Sequence, residues 1–100
     1  MMEAFITGSH AYGLPNERSD VDLVVMIDYD DARRLADLPG AECTGKDRYG
    51  VPTIRFGNLN LICCCDDDKY HAWREGTREL ISKAPVSRED AVRTLIRHGV

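Results

Sequence analysis

The run Val21-Asp-Leu-Val-Val-Met-Ile27 constrains this chain more than any other segment, because it is β-branched and almost continuously apolar. A strand with one wet face alternates apolar and polar residues; this one does not, which predicts a central strand covered on both faces in an α/β protein. Ala4 to Thr7 reads as a first strand, stopped by Gly8. Between the two lies Gly8-Ser9-His10-Ala11-Tyr12-Gly13-Leu14-Pro15-Asn16-Glu17-Arg18-Ser19, whose glycine, proline and small polar residues predict a loop with room for one helical turn after Ser9. At 100 residues, the chain is read as one domain spanning 1–100.

Downstream, Asp28 to Leu38 carries Ala32, Leu35, Ala36 and Leu38 at near-helical spacing behind an acidic front, and Pro39-Gly40 ends it. Val51 to Phe56 and Leu59 to Cys65 are strands separated by Gly57-Asn58, a dipeptide suited to a tight hairpin. Asp66, Asp67 and Asp68 open a helix whose stripe is Tyr70, Trp73, Thr77, Leu80, Ile81 and Ala84, and Pro85 closes it. Ser87 starts a last helix to about His98, with Val92, Leu95 and Ile96 inward and Gly99 as its C-terminal cap.

Composition excludes several classes. Thirteen basic against seventeen acidic residues give a net charge of −4, which argues against a surface that grips long nucleic acid by counterion release. No stretch approaches the roughly 18 apolar residues of a membrane span, and Met1 does not open a signal peptide, so a cytoplasmic protein without membrane contact is expected. Cys63, Cys64 and Cys65 are adjacent on a strand and point to alternating faces, so they are expected to pack as reduced thiols and not to ligate one metal.

The chemistry concentrates at Asp20 and Asp22. One residue apart at the mouth of a strand, they leave the same face with their carboxylates a few ångströms apart. Two anions that close repel, and a hard dication held by carboxylates and phosphate oxygens resolves the repulsion, so Asp20 and Asp22 are candidate ligands of Mg²⁺ or Mn²⁺. Their bland alternative is a solvated strand end. Gly8-Ser9 follows a strand into a turn where backbone N–H groups meet phosphate oxygens; its alternative is an ordinary turn with Ser9 as N-cap. Arg18 is a candidate phosphate contact or a solvated loop arginine, and His10 likewise touches a phosphate or sits exposed.

Together these residues read Gly8-Ser9, ten residues, Asp20-x-Asp22, followed by an apolar strand. The stretch Gly8 through Val25 resembles the signature of the DNA polymerase β-type nucleotidyltransferase superfamily, in particular its small solitary minimal nucleotidyltransferases. The resemblance implies a mixed β-sheet flanked by helices, with Gly8 and Ser9 on a triphosphate and Asp20 and Asp22 holding two divalent metals. It also implies transfer of a nucleoside monophosphate from an NTP to an acceptor hydroxyl. ATP is the expected nucleotide. A protein acceptor or partner chain is expected too, since solitary relatives include antitoxins that attach AMP to a partner toxin.

One position departs from the family pattern. Members usually supply a third carboxylate from a neighbouring strand, and Asn60 stands at that place in Asn58-Leu-Asn-Leu-Ile-Cys63. An asparagine carbonyl can join the metal's ligands but cannot act as a carboxylate base. Asp66 to Asp68 lie roughly 20 Å along the strand at about 3.3 Å per residue, too far to substitute. The rival to an enzyme is therefore a catalytically impaired fold that binds nucleotide or protein. Arg55 either points into the cleft or sits on an exposed sheet position. Tyr12, Tyr70 and Trp73 are expected in the core, with Tyr12 as a stacking or modification site in the alternative.

Overall fold

The computed structural model describes residues 3–16 and 19–100. The long apolar run forms β2 (Val21–Met26), with β1 (Glu3–Thr7) antiparallel on one side and β5 (Leu59–Cys64) parallel on the other. β4 (Pro52–Phe56) pairs antiparallel with β5 across Gly57-Asn58, and β3 (Glu42–Lys46) closes the edge, so the mixed sheet runs β1-β2-β5-β4-β3. Val24 and Val25, on opposite faces of β2, are 0% and 2% exposed, as a strand covered from both sides requires.

On one face, Val24, Ile62 and Cys64 pack with Tyr70, Trp73 and Leu80 of α3 (Asp67–Ser82) and with Ala91 and Leu95 of α4 (Arg88–His98). On the other, Val25, Ile54 and Cys63 pack with Ala32, Leu35 and Ala36 of α2 (Tyr29–Ala36). The two neighbouring thiols thus serve opposite layers as small hydrophobes, and all four cysteines are free.

Capping residues set the helix starts. Asp28, Asp66 and Ser87 each accept a bond from the backbone N–H three residues on, and Gly99 ends α4 at φ 107°. Four of the inward-facing assignments fail: Leu38, Ile81 and Ile96 are 49%, 50% and 58% exposed, and Ala84 is exposed too. Ala84 lies beyond the end of α3, and Ala91 takes the inward place beside Leu95. β3 was not legible as a strand, since all five of its residues are exposed and it exists through its pairing with β4. No helix among the described residues is long and apolar enough to cross a membrane.

Glu79 ties α3 to α4. It accepts from His98 Nε2 at 3.1 Å, from Arg97, and from Lys83 on its own helix. The His98 bond, helped by Lys83 and Arg97, holds its carboxyl down at about 2. A depressed folded-state value stabilises the fold above the unfolded value of about 4.3, and that contribution is lost as pH falls toward the folded value. Glu79→Gln should therefore lower Tm near neutral pH, with the gap to wild type closing between about pH 4.3 and pH 2 in thermal melts.

Candidate active site

β1 ends at Thr7, whose hydroxyl meets Thr77 of α3 at 3.0 Å in a buried pair. That contact pins the strand end from which the chain turns into α1 (Ser9–Tyr12). Gly8, the N-cap of this turn, has φ 72° and ψ −158°, a conformation essentially confined to glycine. It also lies so close to Asp22 that a Cβ at position 8 would stand 2.3 Å from Asp22 Oδ2. The turn and the acids therefore face each other across a gap that only glycine leaves open. Ser9 does not cap α1 with its side chain, which removes the bland reading of that residue, and its hydroxyl has no partner among the described residues.

Pairing of strands distant in sequence builds the rest of the site. Asp22 is in register with Thr7 on β1 and with Asn60 on β5, and Asn60 is in register with Arg55 on β4. Side chains in register share a face, so these four form a row across the sheet. Asn60 Nδ2 donates to Asp22 Oδ1 at 3.0 Å. Arg55 donates to Asp20 Oδ1 at 3.1 Å and to the Gly57 carbonyl at 2.8 Å. Burial pushes the Asp22 carboxyl above its ordinary range; Asp20 adds to the rise, while the Asn60 bond and the charges of His10 and Arg88 oppose it.

Thr7, Gly8, Ser9, Asp20, Asp22 and Asn60 all line one cleft of about 800 Å³. Its opposite wall comes from the loop carrying Asp47, Arg48 and Tyr49, and from Trp73, Arg88 and Leu95 on the helices. Of the expected site residues, Gly8, Ser9, Asp20, Asp22 and Asn60 are brought together here, whereas Arg18 lies outside the described residues. His10 is exposed and bonds the Ser19 carbonyl at 3.2 Å. Tyr12, Tyr70 and Trp73 are buried at 9%, 1% and 2% exposure in the core, the first and last also reaching the cleft.

Arg55 is not the plain exposed position of the blander reading; it is the ion partner of Asp20, with the two side chains 40% and 30% exposed. The two-residue turn held the signal. If Phe56 pairs Leu59 across Gly57-Asn58, Arg55 must pair Asn60, and whatever face Asn60 takes Arg55 shares. The repulsion between the aspartates is eased in part by the protein itself, through Arg55 on Asp20 and Asn60 on Asp22, while the Asp22 carboxyl still stands above its ordinary range.

The donor set suits a hard dication. Asp20, Asp22 and the Asn60 carbonyl offer oxygen only, and one or two carboxylates completed by phosphate oxygens is the way Mg²⁺ is commonly bound. Asn60 would join through its carbonyl oxygen, its amide nitrogen being the group that bonds Asp22. Among the described residues no third His, Cys, Asp or Glu joins the pair.

The family model of the nucleotidyltransferase domain matches residues 2–83. No match is found among curated proteins or among solved structures.

Proposed function

The chain belongs to the nucleotidyltransferase domain family, and on that premise we propose that it moves a nucleoside monophosphate from an NTP, ATP being the expected one, to an acceptor hydroxyl on a protein. Asp20 and Asp22 would hold Mg²⁺ or Mn²⁺, which when bound neutralises phosphate charge and aligns the attacking and departing oxygens. The observation that carries this reading is the fit of Gly8 against Asp22 Oδ2, a gap kept clear between a serine-bearing turn and a pair of acids.

The chain's own groups divide the work. The Ser9 hydroxyl, without a partner among the described residues, is a donor for a phosphate oxygen, and Gly8 lets that oxygen approach the backbone. Asp22 is oriented by Asn60 and held by a strand buried at Val24 and Val25, so its carboxylate is positioned before substrate arrives. Arg55 steadies Asp20. So exposed a pair is worth about 0–1 kcal/mol, so the arginine orients the acid without locking it.

Pyrophosphate release from labelled ATP or GTP with Mg²⁺ or Mn²⁺, abolished in Asp20→Ala, is the expected result. A second reading has its own support: Arg55 and Asn60 partly offset the charge of the two acids, as in a domain that binds nucleotide without turnover. Metal-dependent nucleotide binding with no turnover, even in Asn60→Asp, would leave that reading alone standing.

Asn60→Asp separates the two further. Without metal, a third carboxylate next to Asp22 replaces a hydrogen bond with repulsion, so Tm should fall; the loss of one such bond to a charged group is about 1.5–3 kcal/mol. With Mg²⁺ the variant should gain more Tm than wild type does, and turnover should rise about 10²–10⁴-fold, the usual return of a positioned base. Melts with chelator and with Mg²⁺ check the first pair, and pyrophosphate release checks the last.

A further inference from the structure

Across the cleft from the acids, Arg48 and Arg88 line both the main cleft and an adjoining hollow of about 490 Å³ whose other walls are Glu89, Val92 and Arg93. Arg93 is paired with Asp90 at 3.7 Å, but Arg48 and Arg88 have no hydrogen bond or ion pair among the described residues. Their backbones are nonetheless held firmly.

The loop that carries Arg48 is tied by Asp47, whose carboxylate accepts from Tyr49 N at 2.9 Å and Val51 N at 3.1 Å. Lys69 Nζ donates to the Tyr49 carbonyl at 2.6 Å, and the Tyr49 ring stands edge-on to Trp73 at 5.0 Å. Arg88 opens α4 directly after its Ser87 cap, in a segment anchored by Val86 N donating to the Tyr12 carbonyl at 2.7 Å. A cation in the first turn of a helix opposes the helix dipole, so Arg88 stands there without local electrostatic reward. Two guanidinium groups on firmly held backbones, neither in an ion pair among the described residues, form an anion clamp at one mouth, with Asp22 across the cleft feeling the charge of Arg88.

We propose that Arg48 and Arg88 recognise an acidic segment of a protein acceptor, steering the hydroxyl it carries toward Asp20 and Asp22. The inference rests on the transfer reading above and specifies its acceptor. The surroundings favour a protein over a nucleic-acid strand. Leu14, 81% exposed, and half-buried Val92 both line the cleft and give it an apolar component suited to side chains. Of the aromatic residues lining the cleft, Tyr12 and Trp73 are buried, and Tyr49 is half-buried with its ring edge-on to Trp73, so none of the three is fully open to a stacking base.

Trp73 is the chain's one tryptophan and lines the cleft, so its fluorescence reports occupancy. Short peptides carrying one tyrosine between acidic, neutral or basic residues are titrated with chelator and no NTP, which keeps the measurement independent of catalysis. The acidic peptide should bind roughly tenfold or more tighter than the neutral one, on the scale of charge-assisted bonds at a partly exposed site. Arg48→Gln/Arg88→Gln should erase the difference, and Arg48→Glu/Arg88→Glu should turn the preference to the basic peptide. Equal binding of all three peptides overturns the proposal. So does tighter binding of an oligonucleotide of the same charge, or loss of Mg·ATP binding in the glutamine variant, which would assign the arginines to the triphosphate. If the peptide preference holds but no acceptor is ever labelled, the transfer reading fails and the acidic docking surface stands.

Discussion

Asp22→Asn is expected to abolish nucleotidyl transfer while raising the Tm of the metal-free protein. The amide is nearly isosteric, and its carbonyl can still accept the bond from Asn60 Nδ2. What disappears is a charge that burial makes costly and that Asp20 repels. A carboxyl whose folded-state pKa lies above its unfolded value lowers stability when ionised, and the penalty fades as pH falls through the folded value toward the unfolded one. The gain should therefore be largest near neutral pH and shrink in acid. Relief of one such strained site is commonly worth about 0.5–2 kcal/mol, or about 4–8 °C per kcal/mol in a chain of this length. Transfer should drop by about 10³-fold or more, the response of phosphoryl chemistry to losing a charge-neutralising group. Differential scanning calorimetry with chelator and a labelled-nucleotide assay decide it; an unchanged or lower Tm would show that Asn60 and Arg55 fully compensate the charge.

Gly8→Ala should damage both stability and nucleotide binding. The backbone conformation at this position costs a residue with a Cβ about 1–3 kcal/mol. The new methyl would also meet Asp22 Oδ2 at 2.3 Å, so the carboxylate must swing and break its bond with Asn60. Loss of Mg·ATP binding beyond detection is expected, together with a lower Tm. Gly45→Ala provides the control: φ there is 84°, yet nothing lies within 4 Å, so backbone strain should appear while nucleotide binding survives. Equal loss of binding in both variants would place the effect in global stability and not in the cleft.

The parts of the architecture legible in the sequence are those where burial dictates composition. β2 could be read because Val24 and Val25 must both be apolar, and the helix starts because Asp28, Asp66 and Ser87 cap them. Gly8, Ser9, Asp20 and Asp22 were visible as a spaced motif. β3 was not visible, because Glu42 to Lys46 are wholly exposed and carry no alternation. Ile81 and Ile96 obey helical spacing but lie where no element covers them, and spacing alone does not reveal that. Arg48 and Arg88, 40 positions apart, meet at one mouth only because α4 packs beside the loop before β4, a tertiary fact.

The split of the thiols between layers makes the molecule its own reporter of breathing. Cys63 and Cys64 are sealed within different halves of the interior, while Cys43 and Cys65 are open to solvent. A maleimide pulse followed by mass measurement should add two tags at once, and a third or fourth only as fast as each layer parts from the sheet. Mapping which of the adjacent pair is tagged first would tell whether the α2 side or the α3 and α4 side opens more readily.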